Sequence, residues 1–358
     1  MTTAPDIATQ GIPPLDYTRT VDRSLVHRDA LGEVFLTDLR PVDDERYAAG
    51  AQLPRSHAYY GDHLLRPAGY DPLLILETCR QAALAGAHRF FGVPADNKFI
   101  LTHLGLRLDH PATLVVGASP LSLAMEVRIT SRKEREGRVT GLDYVLALTT
   151  ADGRAVGEAA VGLRFKTPTG YITLRLNNRD GLALPSSATY PVGTPGTPVP
   201  PHLVGRANPD NVVLVDAAVT DSVAQALLRI PAHHASLFDH PQDHLPGMVI
   251  AEGARQLAML AAQDVQGIAT AKTFVTDLDV RFTRFGELED ETVLTAWVDD
   301  LAEPVPTAGS VTLYTLAGAL PAEREPATAG PAHTVRVEAT QKGEPLCVFS
   351  FTLSRMPS

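Results

Sequence analysis

Two cysteines in 358 residues leave no disulfide framework and no metal-ligand spacing to read. Cys79 falls in an expected helix and Cys347 in an expected strand, which fits small buried residues in a reducing compartment. No long uncharged apolar run offers a membrane span, and the first residues carry no basic segment followed by an apolar one. The expected location is therefore the cytoplasm, with no membrane partner. Lysine is scarce, 5 against 26 arginines, and a net charge of −10 argues against a nucleic acid partner. Arg132, Lys133, Arg135 and Arg138 form a local basic patch, read as a solvated hairpin end, with a dock for an acidic carrier protein as its functional alternative. What the chain has in quantity is apolar content, 44%, enough at this length to bury two cores.

The pentapeptide Glu77-Thr78-Cys79-Arg80-Gln81 recurs as Glu252-Gly253-Ala254-Arg255-Gln256, each time inside an Ala/Leu-rich run. Leu25-Val26-His27-Arg28 matches Leu203-Val204-Gly205-Arg206, and Val34 to Asp38 matches Val212 to Asp216, both at an offset of 178. Leu104 to Leu108 aligns with Leu278 to Phe282 at an offset of 174. The order is kept with small insertions and deletions, so the chain reads as two tandem copies of one domain; solenoid repeats are much shorter.

Residues 1–22 are polar and aperiodic and read as a loose arm, followed by a first domain over 23–166. Asp71-Pro72 starts an expected helix over 73–91, which Gly92 and Pro94 stop. Strands are expected over 99–108, 121–130, 138–149 and 155–165, the last two joined at Asp152-Gly153. Residues 167–202, rich in proline and glycine, read as a linker containing a short strand over 171–176. The second domain, 203–358, repeats the order: strands near 212–216 and 223–230, a helix over 246–262, strands over 273–282 and 292–298. A mobile hairpin tip is expected over 302–331, then strands over 333–340 and 346–353 around Lys342-Gly343. One long helix followed by an antiparallel meander is an α+β layout.

Glu, Arg and Gln at i, i+3 and i+4 fall on one helix face, and a charged face in an apolar helix needs a reason. A guanidinium one turn after each Glu would lower its pKa and could grip an anion in bidentate fashion. Glu77 and Glu252 are the candidate general bases, Arg80 and Arg255 the anion anchors, and Gln81 and Gln256 orienting groups. The bland alternative is a pair of buried ion pairs pinning the domain interface. Histidines gather upstream of each helix: His57 and His63 in the first copy, and His233, His234, His240 and His244 in the second. Each has the alternative of a loop histidine with satisfied hydrogen bonds, and His233-His234 is expected at the surface. Tyr59 and Tyr60 read as core or interface. No metal and no cofactor is expected, and no Ser-His-Asp or Cys-His set suggests an acyl-enzyme.

The stretch from Phe238 to Glu252 resembles hydroxyacyl-carrier-protein dehydratases, hotdog folds with a loop His, a Pro-Gly helix start and a helix carboxylate. The first copy keeps the His63 to Glu77 spacing but has Asp71-Pro72 in place of Pro-Gly. The resemblance implies two tandem hotdog domains forming an intramolecular pseudo-dimer, with each loop His facing the other copy's carboxylate: a second-copy His toward Glu77 and His63 toward Glu252. Glu-x-x-Arg-Gln in both copies, with Val26-His27-Arg28, residues 33–38 and Gln52 to His57, is similar to the AfsA family over about 25–353.

That family resemblance implies an acyltransferase moving a β-ketoacyl group from acyl carrier protein to the primary hydroxyl of dihydroxyacetone phosphate. The product would be a precursor of butyrolactone, butenolide or furan signalling molecules of secondary metabolism. Within it Glu77, Glu252, His63 and His240 are the catalytic candidates, and Arg80, Gln81, Arg255, Gln256, His57 and His244 the substrate-binding ones. A double-hotdog dehydratase or thioesterase keeps the His and Glu and treats Arg as structural. A non-catalytic binder of an acyl chain or lactone is the third reading. Two-copy hotdogs can be self-sufficient, and the sequence is also compatible with a homodimer.

Overall fold

Period-2 burial along the strands and a helix apolar nearly all round dictate the architecture: each helix is wrapped by a curved antiparallel sheet that covers it with one face. A computed structural model describes residues 12–191, 195–298 and 332–355. The first half contains β1 (Leu36–Pro41), β2 (Arg46–Leu53), α1 (Pro72–Phe91), β3 (Lys98–Leu108), β4 (Leu121–Arg135), β5 (Arg138–Thr150) and β6 (Ala155–Lys166). After α2 (Pro168–Asn178) the second half repeats the order with β7 (Leu214–Thr220), β8 (Val223–Leu228), α3 (Gly247–Gln266), β9 (Thr273–Phe282), β10 (Thr292–Val298), β11 (His333–Gln341) and β12 (Glu344–Arg355).

The described strands form one sheet in the order β1-β2-β4-β5-β6-β3-β9-β12-β11-β10-β8-β7. The order is a palindrome of the repeat, with the pseudo-twofold between β3 and β9. Those strands pair antiparallel with Leu104 opposite Val280 and Leu106 opposite Leu278. This is the hotdog arrangement used twice, as the repeats imply.

α1 begins where the Asp71 side chain accepts from Leu73 N and Pro72 supplies a pre-set φ, and it ends at left-handed Gly92. α3 has Pro246 at the cap position with no side-chain bond, and ends at Gly267. Tyr47 of β2 lies across α1 and donates to Ala82 O at 2.9 Å. A β-carbon at Gly86 would come within 2.2 Å of the Tyr47 hydroxyl, so glycine is what lets sheet and helix meet there.

Three expectations are corrected. Residues 171–176 form no strand; they belong to α2, which Thr167 caps by accepting from Gly170 N. Tyr171 and Arg175, one turn apart, are the buried pair that alternation mimics over so short a window. Residues 12–22 are not a loose arm: Val21 N donates to Leu36 O, Asp16 N donates to Asp38, and Leu15 and Tyr17 lie against Gly50. His234 turns inward, while His233 is exposed. The tip expected over 302–331 lies outside the described residues. Among those described, no helix is long and apolar enough to cross a membrane.

Candidate active site

Glu77 sits in the middle of α1 with no solvent exposure, and every donor it needs is supplied locally. Its Oε1 accepts from Arg28 Nη2 (2.7 Å), Arg80 Nη2 (2.9 Å) and Gln81 Nε2 (2.9 Å), and its Oε2 from Arg80 Nε (2.7 Å). Burial alone would push this carboxyl up; Arg28 first and Arg80 next outweigh it and hold the group at about 2. Gln81 ties the cluster to the chain before β1, donating to Glu33 O and accepting from Phe35 N.

The second half repeats this with one consequential change. Glu252, also fully buried, accepts from Arg206 Nε (2.9 Å) and Nη2 (2.8 Å), from Arg255 and from Gln256. Gln256 bonds Asn211 O and Val213 N as Gln81 bonds its counterparts. Arg255 Nη1, however, also reaches across the interface to Asp71 Oδ1 (3.0 Å) and Oδ2 (2.9 Å), the N-cap of α1. Arg255 and Arg206 hold the Asp71 carboxyl below its usual range against the upward push of burial. Arg206 Nη1 closes the cluster by donating to Tyr59 O and Asp62 O. Two guanidiniums thus meet two carboxylates, and the charges balance.

At the first-half cluster the residue equivalent to Asp71 is Pro246 of the second half, which has no carboxylate. Among the described residues Arg28 and Arg80 form ion pairs with Glu77 alone, and Asp239 attracts Arg28 only from beyond ion-pair distance. Arg80 is also the more open residue, 18% exposed against 7% for Arg255. Glu33 does not restore the balance. Its carboxylate accepts from Ser236 Oγ and faces His57, with no ion pair to either guanidinium among the described residues. The caps Asp62 and Asp239 occur in both halves: Asp62 accepts from Ala207 N and Asn208 N, Asp239 from Asp29 N and Ala30 N. These crossed contacts put each half's loop beside the other half's helix.

The histidines divide accordingly. His63 lies with Asp71 and Arg255 around a cavity of about 20 Å³, room for roughly one water, and burial lowers its pKa. His240 bonds Asp239 through Nδ1 (3.1 Å) and meets Gln242 Nε2 with its Nε2 (2.6 Å), with no hydrogen bond to Glu77, Arg28 or Arg80 among the described residues. His57 Nδ1 accepts from Tyr59 N and Tyr60 N, so its other nitrogen turns to Glu33 and away from Glu77. His244 is hydrogen-bonded to Asp243 at 2.6 Å and lines a second, larger cavity.

That cavity, about 800 Å³, lies between the N-terminus of α3, β3, the end of β9 and α2. Leu101, Leu174, Leu245, Ile250, Phe282 and Leu346 supply an apolar wall. α2 roofs it because Arg175, fully buried, donates to Glu287 (2.6 and 2.8 Å) and Asp243, and its guanidinium lies 4.5 Å from the Phe285 ring centre. The basic patch on the β4–β5 hairpin is a solvated end, Arg132 and Arg135 being paired with Glu134 and Glu136. No His/Cys/Asp/Glu group among the described residues is arranged to hold a metal.

Sequence reasoning left Arg28, Arg206 and Asp71 out of the site. The signal for the two arginines was present, since they match each other at the offset of 178. Asp71 read as a helix cap, which it is, and its second partner lies 184 residues away.

Residues 10–166 and 188–355 match the family model described as the A-factor biosynthesis hotdog domain, AfsA. A Streptomyces virginiae protein named 2-oxo-3-(phosphooxy)propyl 3-oxoalkanoate synthase is 34% identical over 294 residues, covering 81% of this chain and 90% of that protein. A protein of the same name from Streptomyces coelicolor is 32% identical over 301 residues, 82% of this chain and 85% of that one. Among solved structures, the pyran synthase domain from module nine of the sorangicin pathway aligns with a TM-score of 0.48 at 14% identity, over 90% of this chain and 98% of that domain.

Proposed function

The chain belongs to the AfsA hotdog family, and from that premise we propose that it is an acyltransferase joining a 3-oxoacyl thioester to the hydroxyl of dihydroxyacetone phosphate. The observation that carries this reading is the uneven pairing of the first-half cluster, where Arg28 and Arg80 form ion pairs with a single carboxylate. A phosphate monoester is the counterion such a site lacks, and a guanidinium fork suits its oxygens. Arg80 is the phosphate anchor, with Arg28 beside it. The product is a phosphorylated keto-ester, which can condense through its activated methylene toward a butenolide and so feed butyrolactone-type signalling molecules.

Glu77 takes a different role from the general base its sequence position suggests. A carboxylate that already accepts four hydrogen bonds and titrates at about 2 is a poor proton acceptor near neutrality. It holds the two guanidiniums at fixed angles, and Gln81 fixes Glu77. The Glu252 cluster, neutralised by Asp71 and packed around a one-water cavity, is the structural partner of the pair. The cavity under α2 has the size for a 3-oxoacyl chain, which would lie along its Leu101, Leu174, Ile250 and Phe282 wall. Acyl carrier protein is the thioester donor on this reading. Each half already supplies the other's loop, so one chain forms both clusters without a second copy.

Mass spectrometry of the protein incubated with a 3-oxoacyl thioester, with and without dihydroxyacetone phosphate, tests the proposal. A phosphorylated keto-ester that requires both substrates is the expected product. Free acid alone would identify a thioesterase, an enoyl product a dehydratase, and no product across several chain lengths a binding protein.

A further inference from the structure

With Glu77 saturated, the transfer needs another proton acceptor, and the loop before α3 carries one. Asp243 and His244 form an imidazole–carboxylate pair in the wall of the large cavity under α2. Donors on α2 hold the carboxylate in place: Tyr171 donates to its two oxygens at 2.8 and 3.0 Å, and Arg175 Nε lies 3.2 Å from Oδ2. Arg175 also donates through Nη2 to the Asp243 carbonyl at 3.0 Å. Burial pushes the Asp243 carboxyl up, but the bond from His244, followed by Tyr171 and Arg175, holds it well below its usual range.

A carboxylate can only accept, so the 2.6 Å bond puts a proton on His244 Nδ1 whatever the charge of the ring. In the neutral ring the lone pair therefore sits on Nε2. That nitrogen has no hydrogen-bond partner among the described residues, and it is not one of the polar atoms sealed in the interior. Phe285 stands edge-on to the ring, with centroids 5.1 Å apart, and fixes its plane. The side chain, 24% exposed, shares the cavity wall with Leu101, Ile250 and Phe282. Pseudo-symmetry brings the anion anchor to the same end. At the Glu252 cluster Pro72, Val275 and Arg255 line one small cavity together. Their equivalents in the repeat are Gly247, Leu101 and Arg80, and Gly247 and Leu101 line the large cavity. Gly247, three residues after His244, thus marks the end of that cavity toward Arg80. Counting back from the helix starts, Ala68 and Gly69 stand where Asp243 and His244 do, so the other cluster lacks both members of the pair.

We propose that His244 Nε2 is the proton acceptor for the hydroxyl that attacks the thioester, with Asp243 as its positioning residue. This rests on the transferase reading above. The hydroxyl oxygen forms its bond to the thioester carbonyl carbon as its proton passes to Nε2. The Asp243 carboxylate holds the ring in the required tautomer and stabilises the imidazolium across the Nδ1 bond. The C–S bond then breaks, and the imidazolium returns that proton to the departing thiolate sulfur. Tyr171 and Arg175 fix Asp243 from α2, so the helix that roofs the cavity also aims its base.

The test is His244→Ala, in which Asp243 keeps Tyr171 and Arg175 and α2 should stay docked. Wild type and variant are compared for keto-ester formation, for thermal unfolding, and for restoration of turnover by added imidazole. The expected result is a fall in kcat of about 100-fold or more, with KM for dihydroxyacetone phosphate within about threefold of wild type and partial recovery in imidazole. His244→Asn, whose amide can still donate to Asp243 but carries no base, should show the same loss without rescue. Turnover of His244→Ala within about threefold of wild type, or a loss that imidazole does not relieve, overturns the assignment. No ester from the wild type overturns the transferase reading and this inference together, whereas ester from wild type and variants alike overturns only the role of His244.

Discussion

Replacing Asp71 by Asn separates charge from capping, because Asn keeps a side-chain oxygen for Leu73 N and is as good an N-cap as Asp. What the variant loses is the carboxylate on Arg255, which accepts two bonds at 3.0 and 2.9 Å in a region with almost no solvent exposure. Removing one partner of a buried pair typically costs 3–5 kcal/mol. Arg255 and Arg206 still share Glu252, and Arg206 keeps its two carbonyls, so the lower end applies, about 3 kcal/mol. Urea unfolding followed by far-UV circular dichroism should show a midpoint lowered by roughly 1 M, for a slope of about 3 kcal/mol per M. Turnover per folded molecule should be retained if, as proposed, the second-half cluster is structural. An unmoved midpoint would refute the charge balance, and a stable but inactive variant would refute the structural role of the second cluster.

Three further outcomes follow from the same geometry. Glu77→Gln should reduce turnover about 100-fold or more by releasing Arg28 and Arg80, whereas Glu252→Gln should lower stability with turnover per folded molecule kept; paired kinetic and unfolding measurements distinguish the two. The Glu77 carboxyl titrates at about 2 when folded against its ordinary 4.5, so the unfolded chain binds that proton first and stability rises with pH. Its contribution, about 3 kcal/mol, is complete above roughly pH 5 and is lost as pH falls from about 4.5 to 2, which unfolding curves across that window would register. Arg175→Ala removes the fully buried cation from Asp243 and Glu287, leaving Arg179 as the ion-paired tie of α2 to Glu287 and Glu289; α2 should loosen, and cleavage within 167–191 in limited proteolysis should quicken at least about tenfold.

Most of the fold was legible because the repeat appears in the chain itself: helix starts at Asp71-Pro72 and Pro246-Gly247, the succession of strands and the Asp152-Gly153 turn follow from local chemistry, although β4 runs on to Arg135 beyond the expected end at 130. α2 was misread because six residues with Tyr171 and Arg175 buried satisfy either period. Spacing put Glu77, Arg80 and Gln81 on one face, and the structure brings them into contact. The number of donors converging on Glu77 was not legible, since Arg28 comes from a turn 49 residues upstream. The difference between the halves hid in substitutions that look minor in a repeat alignment, Asp71 against Pro246 and His27 against Gly205. The first changes the charge of a buried cluster, the second puts an imidazole against His88 and Phe99 where its counterpart has no side chain, and local sequence carries no record of which distant residue either meets.

The first-half cluster, with no second carboxylate in its ion pairs and the more open arginine in Arg80, should be the phosphate site, and the second-half cluster should not. Isothermal titration with dihydroxyacetone phosphate tests it through stoichiometry. One molecule bound per chain, and none in Arg80→Ala, is the predicted result. Two molecules per chain, or one that survives Arg80→Ala, would contradict the account.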